Sequence, residues 1–330
     1  MKALVMNEYK KLDYMDVEKP VPKDGEVLIR LKACSVCGSD VHGFDGSTGR
    51  RRPPVIMGHE AAGVIEECGK NVKNYKPGDR VTFDSTVYCN DCDMCAQGMV
   101  NLCRNRQVLG VSCEEYNRPG CFAEYVCVPE YILYAIPDNV TYVQASLTEP
   151  LSIAYHAATR TTITERDSVV IVGVGTIGLF ALQVVKSFGA KQIIAVDIDN
   201  KRLDFAKETG ATDCVNSKDP DALEQILKLS GGGVTVAIDA TGIEATALLC
   251  IKSLQLGGRV VEHRPEYPVP ASVRGHKADQ PVRFLRERGR ISAVPRSDRF
   301  RTDRCGQDDL QKGSAEGRRS VDEEDLQQGG

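Results

Sequence analysis

Residues 167–190 read DSVVIVGVGTIGLFALQVVKSFGA, and the parsing of this stretch decides the fold. From Ser168 to Val185 it carries no charged residue, so by length and hydropathy alone it approaches a membrane span. The glycines argue otherwise. Gly173, Gly175 and Gly178 fall at the GxGxxG spacing, with Thr176 and Ile177 between the last two. The stretch therefore reads as strand, tight turn and helix. The first glycine permits the turn, the second lets main chain approach a pyrophosphate, and the third packs helix closely on strand. The free N–H groups of the helix start then face the phosphates. A bare GxGxxG is weak evidence, but IIAVDID follows as a second strand. It reaches Asp197, nineteen residues beyond Gly178, where an acid binds ribose hydroxyls.

Downstream the alternation continues. Helices are expected from Lys201 to Thr209, from Pro220 to Leu229 and from Glu244 to Leu254, with strands at VTVAIDAT from Val234 and at GGRVV to Val261. Such alternation implies a parallel sheet covered by helices on both faces, a doubly wound α/β dinucleotide fold over 151–262. A carboxylate at Asp197 favours NAD, because a 2′-phosphate beside it is repelled. Lys201 and Arg202 lie close by, which leaves mixed NAD/NADP use open.

Upstream the texture is different. Val27, Ile29, Leu31 and Ala33 alternate with Leu28, Arg30 and Lys32, the period of a half-buried strand. Further short strands are expected at AAGVIEE from Ala61, at DRVTF from Asp79 and at FAEYVCV from Phe122, so residues 1–150 read as a mainly β domain. The 330 residues suit two domains, and a net charge of −4 gives no global reason for a nucleic-acid or membrane partner. Thirteen cysteines in a chain of this size, with an apolar start too short for a signal peptide, point to a reducing, cytoplasmic setting with thiols free for metal.

Two metal sites are legible. Cys37 to Glu60 carries a thiol at one end and His59-Glu60 at the other, a donor set that zinc accepts in catalytic sites, where one position stays open. A lone Cys is often a small buried hydrophobe and a lone His structural, so the constellation carries the reading. In a lobe spanning about 88–104, Cys89, Cys92, Cys95 and Cys103 supply four thiolates for a closed, structural zinc site. An iron–sulfur cluster competes, but the bacterial ferredoxin run has a shorter last spacing followed by proline, where this chain has Arg104.

Together these features resemble the zinc-dependent medium-chain dehydrogenase family, and within it the polyol branch of sorbitol, L-threonine and galactitol-1-phosphate dehydrogenases. The carriers are CGSD at 37–40, GHE at 58–60, the four-cysteine lobe, Glu149-Pro150 and GVGTIG at 173–178. The resemblance implies a GroES-like first domain and a catalytic zinc on Cys37 and His59, with Glu60 or Glu149 as exchangeable third ligand. It matches Ser39 to a hydroxyl that relays a proton from the alcohol, and His42 to a substrate-side histidine that reads equally as a solvated loop residue. His156 reads as a helix-packing residue. Glutamate at 149, where simple alcohol dehydrogenases have cysteine, aligns the chain with the polyol enzymes. The implied activity is hydride transfer from a secondary alcohol, polyol or sugar-alcohol phosphate to NAD, with two zinc ions per chain and a homo-oligomeric state. Arg50, Arg51 and Arg52 read either as favouring a phosphorylated substrate or as a solvated loop.

The resemblance stops near Val261. Residues 263–330 hold 12 Arg and 2 Lys against 12 Arg and 16 Lys before them, and only 11 Leu, Ile, Val or Phe, below the ~20% typical of chains that fold alone. No strand-like run is legible there, so the dinucleotide domain reads as incomplete at its C-terminal end. The segment is read as translated out of frame, with a native disordered tail as the alternative. A non-catalytic zinc- and dinucleotide-binding protein, inactive because of this segment, is accordingly the rival function.

Overall fold

The computed structural model describes residues 1–113 and 116–262 and the main chain of 283–286. The first part is built from short strands: β1 (Lys2–Glu8), β2 (Lys11–Asp16), β3 (Glu26–Ser35), then helix α1 (Gly38–Phe44), β4 (Val55–Ile56), β5 (Glu60–Cys68) and β6 (Arg80–Phe83). After β7 (Thr86–Val87) and the single turn α2 (Asp93–Ala96) come β8 (Gln107–Leu109), β9 (Asn117–Arg118), β10 (Tyr125–Pro129) and β11 (Leu133–Ala135). Helices α3 (Tyr142–Ser146) and α4 (Thr148–Thr159) lead out of it.

Its main sheet has five antiparallel strands in the order β10-β3-β5-β6-β11. Val27 and Ile29 of β3 sit in one core with Ala61, Ile65, Val81, Phe83, Val126 and Val128, as alternating apolar residues on one face require. The apolar start of the chain forms the hairpin β1–β2. One register matters for function: β3 ends with Ser35 opposite Glu60, the first residue of β5. The loop after β3 and the start of β5 therefore meet although they are far apart in sequence.

The second part alternates strictly: β12 (Ser168–Val172), α5 (Thr176–Ser187), β13 (Gln192–Asp197), α6 (Asn200–Thr209), β14 (Asp213–Asn216), α7 (Ala222–Leu229), β15 (Val234–Asp239), α8 (Glu244–Ser253), β16 (Leu254–Glu262) and β17 (Arg283–Arg286). All six strands are parallel, ordered β14-β13-β12-β15-β16-β17. Each face of the sheet carries its own core. Val169, Ile171, Ile193, Ala195, Val236 and Ile238 pack on one side and Val170, Val172, Ile194, Val196 and Ala237 on the other, as expected of a doubly covered parallel sheet. The charge-free run from Ser168 to Val185 is split between β12 and α5, and no helix among the described residues is long and apolar enough to cross a membrane.

The strand β17 corrects one expectation. Arg283–Arg286 extends the sheet, pairing Arg259 with Arg283 through Glu262 with Arg286, where the sequence pattern offers no strand. An open sheet edge presents main-chain N–H and C=O groups, and pairing with them needs backbone rather than an apolar pattern. The out-of-frame reading of 263–330 otherwise falls on residues outside those described.

Helix α4 links the two parts. Ala154, Ala157 and Ala158 lie in the same core as Val169 and Ala181, while its first turn carries Glu149 back toward the β5 end of the first part.

Candidate active site and metal centres

Cys37 is the N-cap of α1. Its sulfur accepts the N–H of Ser39 at 3.5 Å, and its own N–H donates to Asp40 Oδ2 at 3.2 Å. This reciprocal cap fixes the direction of the thiol. The register of β3 against β5 then brings the donor atoms of Cys37, His59 and Glu60 within 4.8 Å of one another. His59 is 3% exposed and Glu60 4%. Ser35 donates its hydroxyl to Glu60 Oε2 at 2.5 Å. Glu149 stands outside this three-donor group, and its Oε1 accepts the Ser85 hydroxyl at 3.0 Å.

The site is electrostatically negative. Burial works against a charged His59, yet Asp40, the Cys37 sulfur and Glu149 hold its pKa up to about 10. Glu60 is raised by burial and by the charge of Glu149. Thiol, imidazole and carboxylate converging in one buried pocket are the donors that zinc takes.

The pairing of Asp40 with a buried Arg51 is a site feature that the sequence does not signal. Asp40 Oδ1 lies 3.4 Å from His59 Nδ1 and 2.9 Å from Arg51 Nη2, which also donates to Ser39 Oγ at 3.1 Å. Arg51 is 1% exposed. Its burial corrects the solvated-loop reading for Arg51, whereas Arg50 and Arg52 are exposed. His42 is exposed on the last turn of α1, and His156 lies half-buried in α4.

The four-cysteine lobe sits between β7 and β8. The Sγ atoms of Cys92 and Cys95 are 3.5 Å apart, those of Cys89 and Cys103 3.5 Å, and those of Cys92 and Cys103 4.0 Å. These are too long for disulfides. A tetrahedral zinc with Zn–S bonds of about 2.3 Å separates its sulfurs by about 3.8 Å, so the spacing fits. The N–H groups of Arg104 and Cys95 pull the Cys92 thiol down to about 6, whereas burial and the neighbouring sulfurs push Cys95 up to about 12. Held together as thiolates, four sulfurs this close would need a cation between them. Arg104 closes the lobe with two 2.7 Å bonds to Asp93.

In the second part, Gly173 has φ +86°, and a Cβ there would lie 2.3 Å from Thr241 Cγ2. A Cβ on Gly178 would lie 1.8 Å from the Gly173 carbonyl oxygen, so the helix packs on the turn only because that residue is bare. A Cβ on Gly175 would meet nothing within 4 Å. This is the space that main chain must leave for a diphosphate, at the start of a twelve-residue helix with no side-chain cap. Thr176 is exposed and Ile177 half-buried just inside α5. Asp197 ends β13 beside them, and Arg202 Nη1 is 3.8 Å from its Oδ2.

Comparison with known proteins agrees with this layout. Residues 23–138 match the alcohol dehydrogenase GroES-like domain, and residues 176–263 match the zinc-binding dehydrogenase domain. The sorbitol dehydrogenase of Bacillus subtilis strain 168 is 36% identical over 264 residues, 79% of this chain and 74% of that protein. Among solved structures, a protein from Sinorhizobium meliloti 1021 described as a zinc-binding dehydrogenase and bound to NADP superposes with a TM-score of 0.78. It is 31% identical, covering 86% of this chain and 83% of that one. An alcohol dehydrogenase from Escherichia coli CFT073 in complex with NADH gives a TM-score of 0.78 at 30% identity, covering 87% and 83%.

Proposed function

The chain belongs to the zinc-containing medium-chain alcohol dehydrogenase family, and on that premise we propose that it transfers a hydride from a secondary alcohol of the polyol class to NAD. The observation that carries this reading is the buried convergence of Cys37, His59 and Glu60, with Ser39 and Glu149 beside them. Cys37, His59 and Glu60 would hold the catalytic zinc, with Glu149 as the exchangeable ligand, and Cys89, Cys92, Cys95 and Cys103 the structural one. Zinc at the first site supplies Lewis acidity, which lowers the pKa of an alcohol toward neutrality. NAD, which Gly175 and Asp197 would help to hold, would supply the hydride acceptor.

The chain's own residues have distinct tasks. Asp40 holds the His59 ring in orientation from its Nδ1 side. Ser39 Oγ already accepts from Arg51, so its own hydrogen points elsewhere, and Oγ would take up the alcohol's proton as it gives that hydrogen to solvent water. Asp197 binds the ribose hydroxyls and disfavours a 2′-phosphate, with Arg202 offsetting part of that charge.

Glutamate at 149 and the likeness to sorbitol dehydrogenase support a polyol over a simple alcohol. Arg51 is committed to Asp40, which withdraws it as a phosphate ligand and leaves the exposed Arg50 and Arg52 as the arginines of that run open to a phosphorylated substrate. The test is a turnover screen of the zinc-loaded protein with sorbitol, a sorbitol phosphate, L-threonine, a simple secondary alcohol and ethanol, each with NAD and NADP. The polyol with NAD is expected to give the highest kcat/KM. No turnover on any of them, with zinc bound at both clusters, would establish the non-catalytic alternative.

A further inference from the structure

Arg51 is the largest fully buried side chain among the described residues. A guanidinium taken out of water needs its charge balanced and its N–H groups used; Arg51 meets the first demand through Asp40, while its Nε is buried with no hydrogen-bond partner. Here one nitrogen, Nη2, serves two residues, donating to Asp40 Oδ1 at 2.9 Å and to Ser39 Oγ at 3.1 Å. Asp40 is itself 2% exposed, and its two oxygens reach His59 Nδ1 and the N–H of Cys37. The guanidinium therefore stands behind His59, Cys37 and Ser39 while touching only the last directly. Space for it is built into α1: a Cβ on Gly43 would lie 2.0 Å from Arg51 Cδ.

The bonding has a polarity. Guanidinium N–H groups only donate, so Ser39 Oγ must accept from Arg51, and the Ser39 hydrogen must point elsewhere. A lysine in the same place would supply charge as a point without the planar fork. Resting on the dehydrogenase reading above, we propose that Arg51 is a positioning residue of that site, its guanidinium fixing Asp40 against His59 and holding the Ser39 oxygen as an acceptor.

The test uses the zinc-loaded full chain, its Arg51→Lys variant, and Gly43→Ala, which keeps the arginine but places a methyl group where its Cδ lies. Zinc release to excess chelator should be biphasic in the parent, with the open three-donor site fast and the four-thiolate site slow. Cys37→Ser, which loses the fast phase, and Cys95→Ser, which loses the slow one, assign the phases. Loss of a residue supporting a metal ligand typically costs 10–100-fold in metal affinity or activity. The fast phase should therefore quicken by about that factor in both variants, with the slow phase unchanged, and kcat should fall at least about tenfold with KM little altered. A biphasic parent with an unaltered fast phase in both variants overturns the proposal. So does equal acceleration of both phases, which would make Arg51 merely structural. A parent with no fast phase removes the dehydrogenase reading itself, and the proposal with it.

Discussion

The main-chain N–H of Val174 donates to Asp197 Oδ2 at 2.9 Å, clipping the glycine turn to the end of β13. The other oxygen accepts the N–H of Asp199 at 3.1 Å. A carboxylate offers about four lone-pair sites, so both bonds leave room for ribose hydroxyls. Asp197→Ala should thus have two separable effects. Loss of these two hydrogen bonds, one of them buried, should lower stability by about 1–3 kcal/mol, read from a denaturant midpoint. Loss of the ribose ligand should weaken NAD more than NADP, read by calorimetry. An unchanged NAD/NADP affinity ratio alongside the stability loss would confine Asp197 to holding the turn.

Gly175 and Gly178 belong to one motif but should respond oppositely to a methyl group. Gly178→Ala places a Cβ 1.8 Å from the Gly173 carbonyl oxygen, and such overpacking typically costs 1–3 kcal/mol. Gly175→Ala meets no protein atom within 4 Å, so the fold should keep its stability while NAD affinity falls at least about tenfold, because only a bound diphosphate would touch the methyl group. Thermal unfolding and cofactor titration of the pair check this. Full NAD affinity in Gly175→Ala would place the diphosphate elsewhere.

What was legible in the sequence follows from how locally each feature is encoded. The glycine turn and the four-cysteine lobe are short-range patterns whose geometry is set by a few consecutive residues. Cys37 with His59 and Glu60 was legible from donor chemistry, although their approach depends on the pairing of Ser35 with Glu60 across β3 and β5. Arg51 was not legible, because the middle of three arginines looks solvated. Its burial is decided by the bare Gly43 and by the charge of Asp40, neither of which a charge run announces. Strand β17 was hidden for the opposite reason, since edge pairing through main chain leaves little trace in side-chain pattern.

The two metal clusters should be independent. His59→Ala removes one of the three donors at the open site, so zinc content should fall from about two to about one per chain with the fold intact and turnover lost. Cys95→Ser should remove the other zinc and expose the lobe around α2 to proteolysis, because that lobe contributes few apolar residues to a core. A folded parent preparation containing no zinc would sink both assignments.

Asp84 should make stability depend on pH in an unusual direction. It is 7% exposed at the end of β6; Thr86 N–H donates to Oδ1 at 2.8 Å, while Oδ2 is buried with no hydrogen-bond partner. Burial, with the charge of Glu149 adding to it, pushes its pKa from 3.8 up to about 8. Between those values the folded state keeps a proton that the unfolded chain releases, so stability falls as pH rises through that window and is flat outside it. Asn at this position is neutral in both states and removes the dependence. Asp84→Asn should therefore change stability little near about pH 4 and become progressively stabilising toward about pH 8, at up to about 1.4 kcal/mol per pH unit. Urea unfolding midpoints of parent and variant across that range give the measurement. A gain that is constant with pH would mean that Asp84 is ionised in the folded protein and that Oδ2 has found a donor.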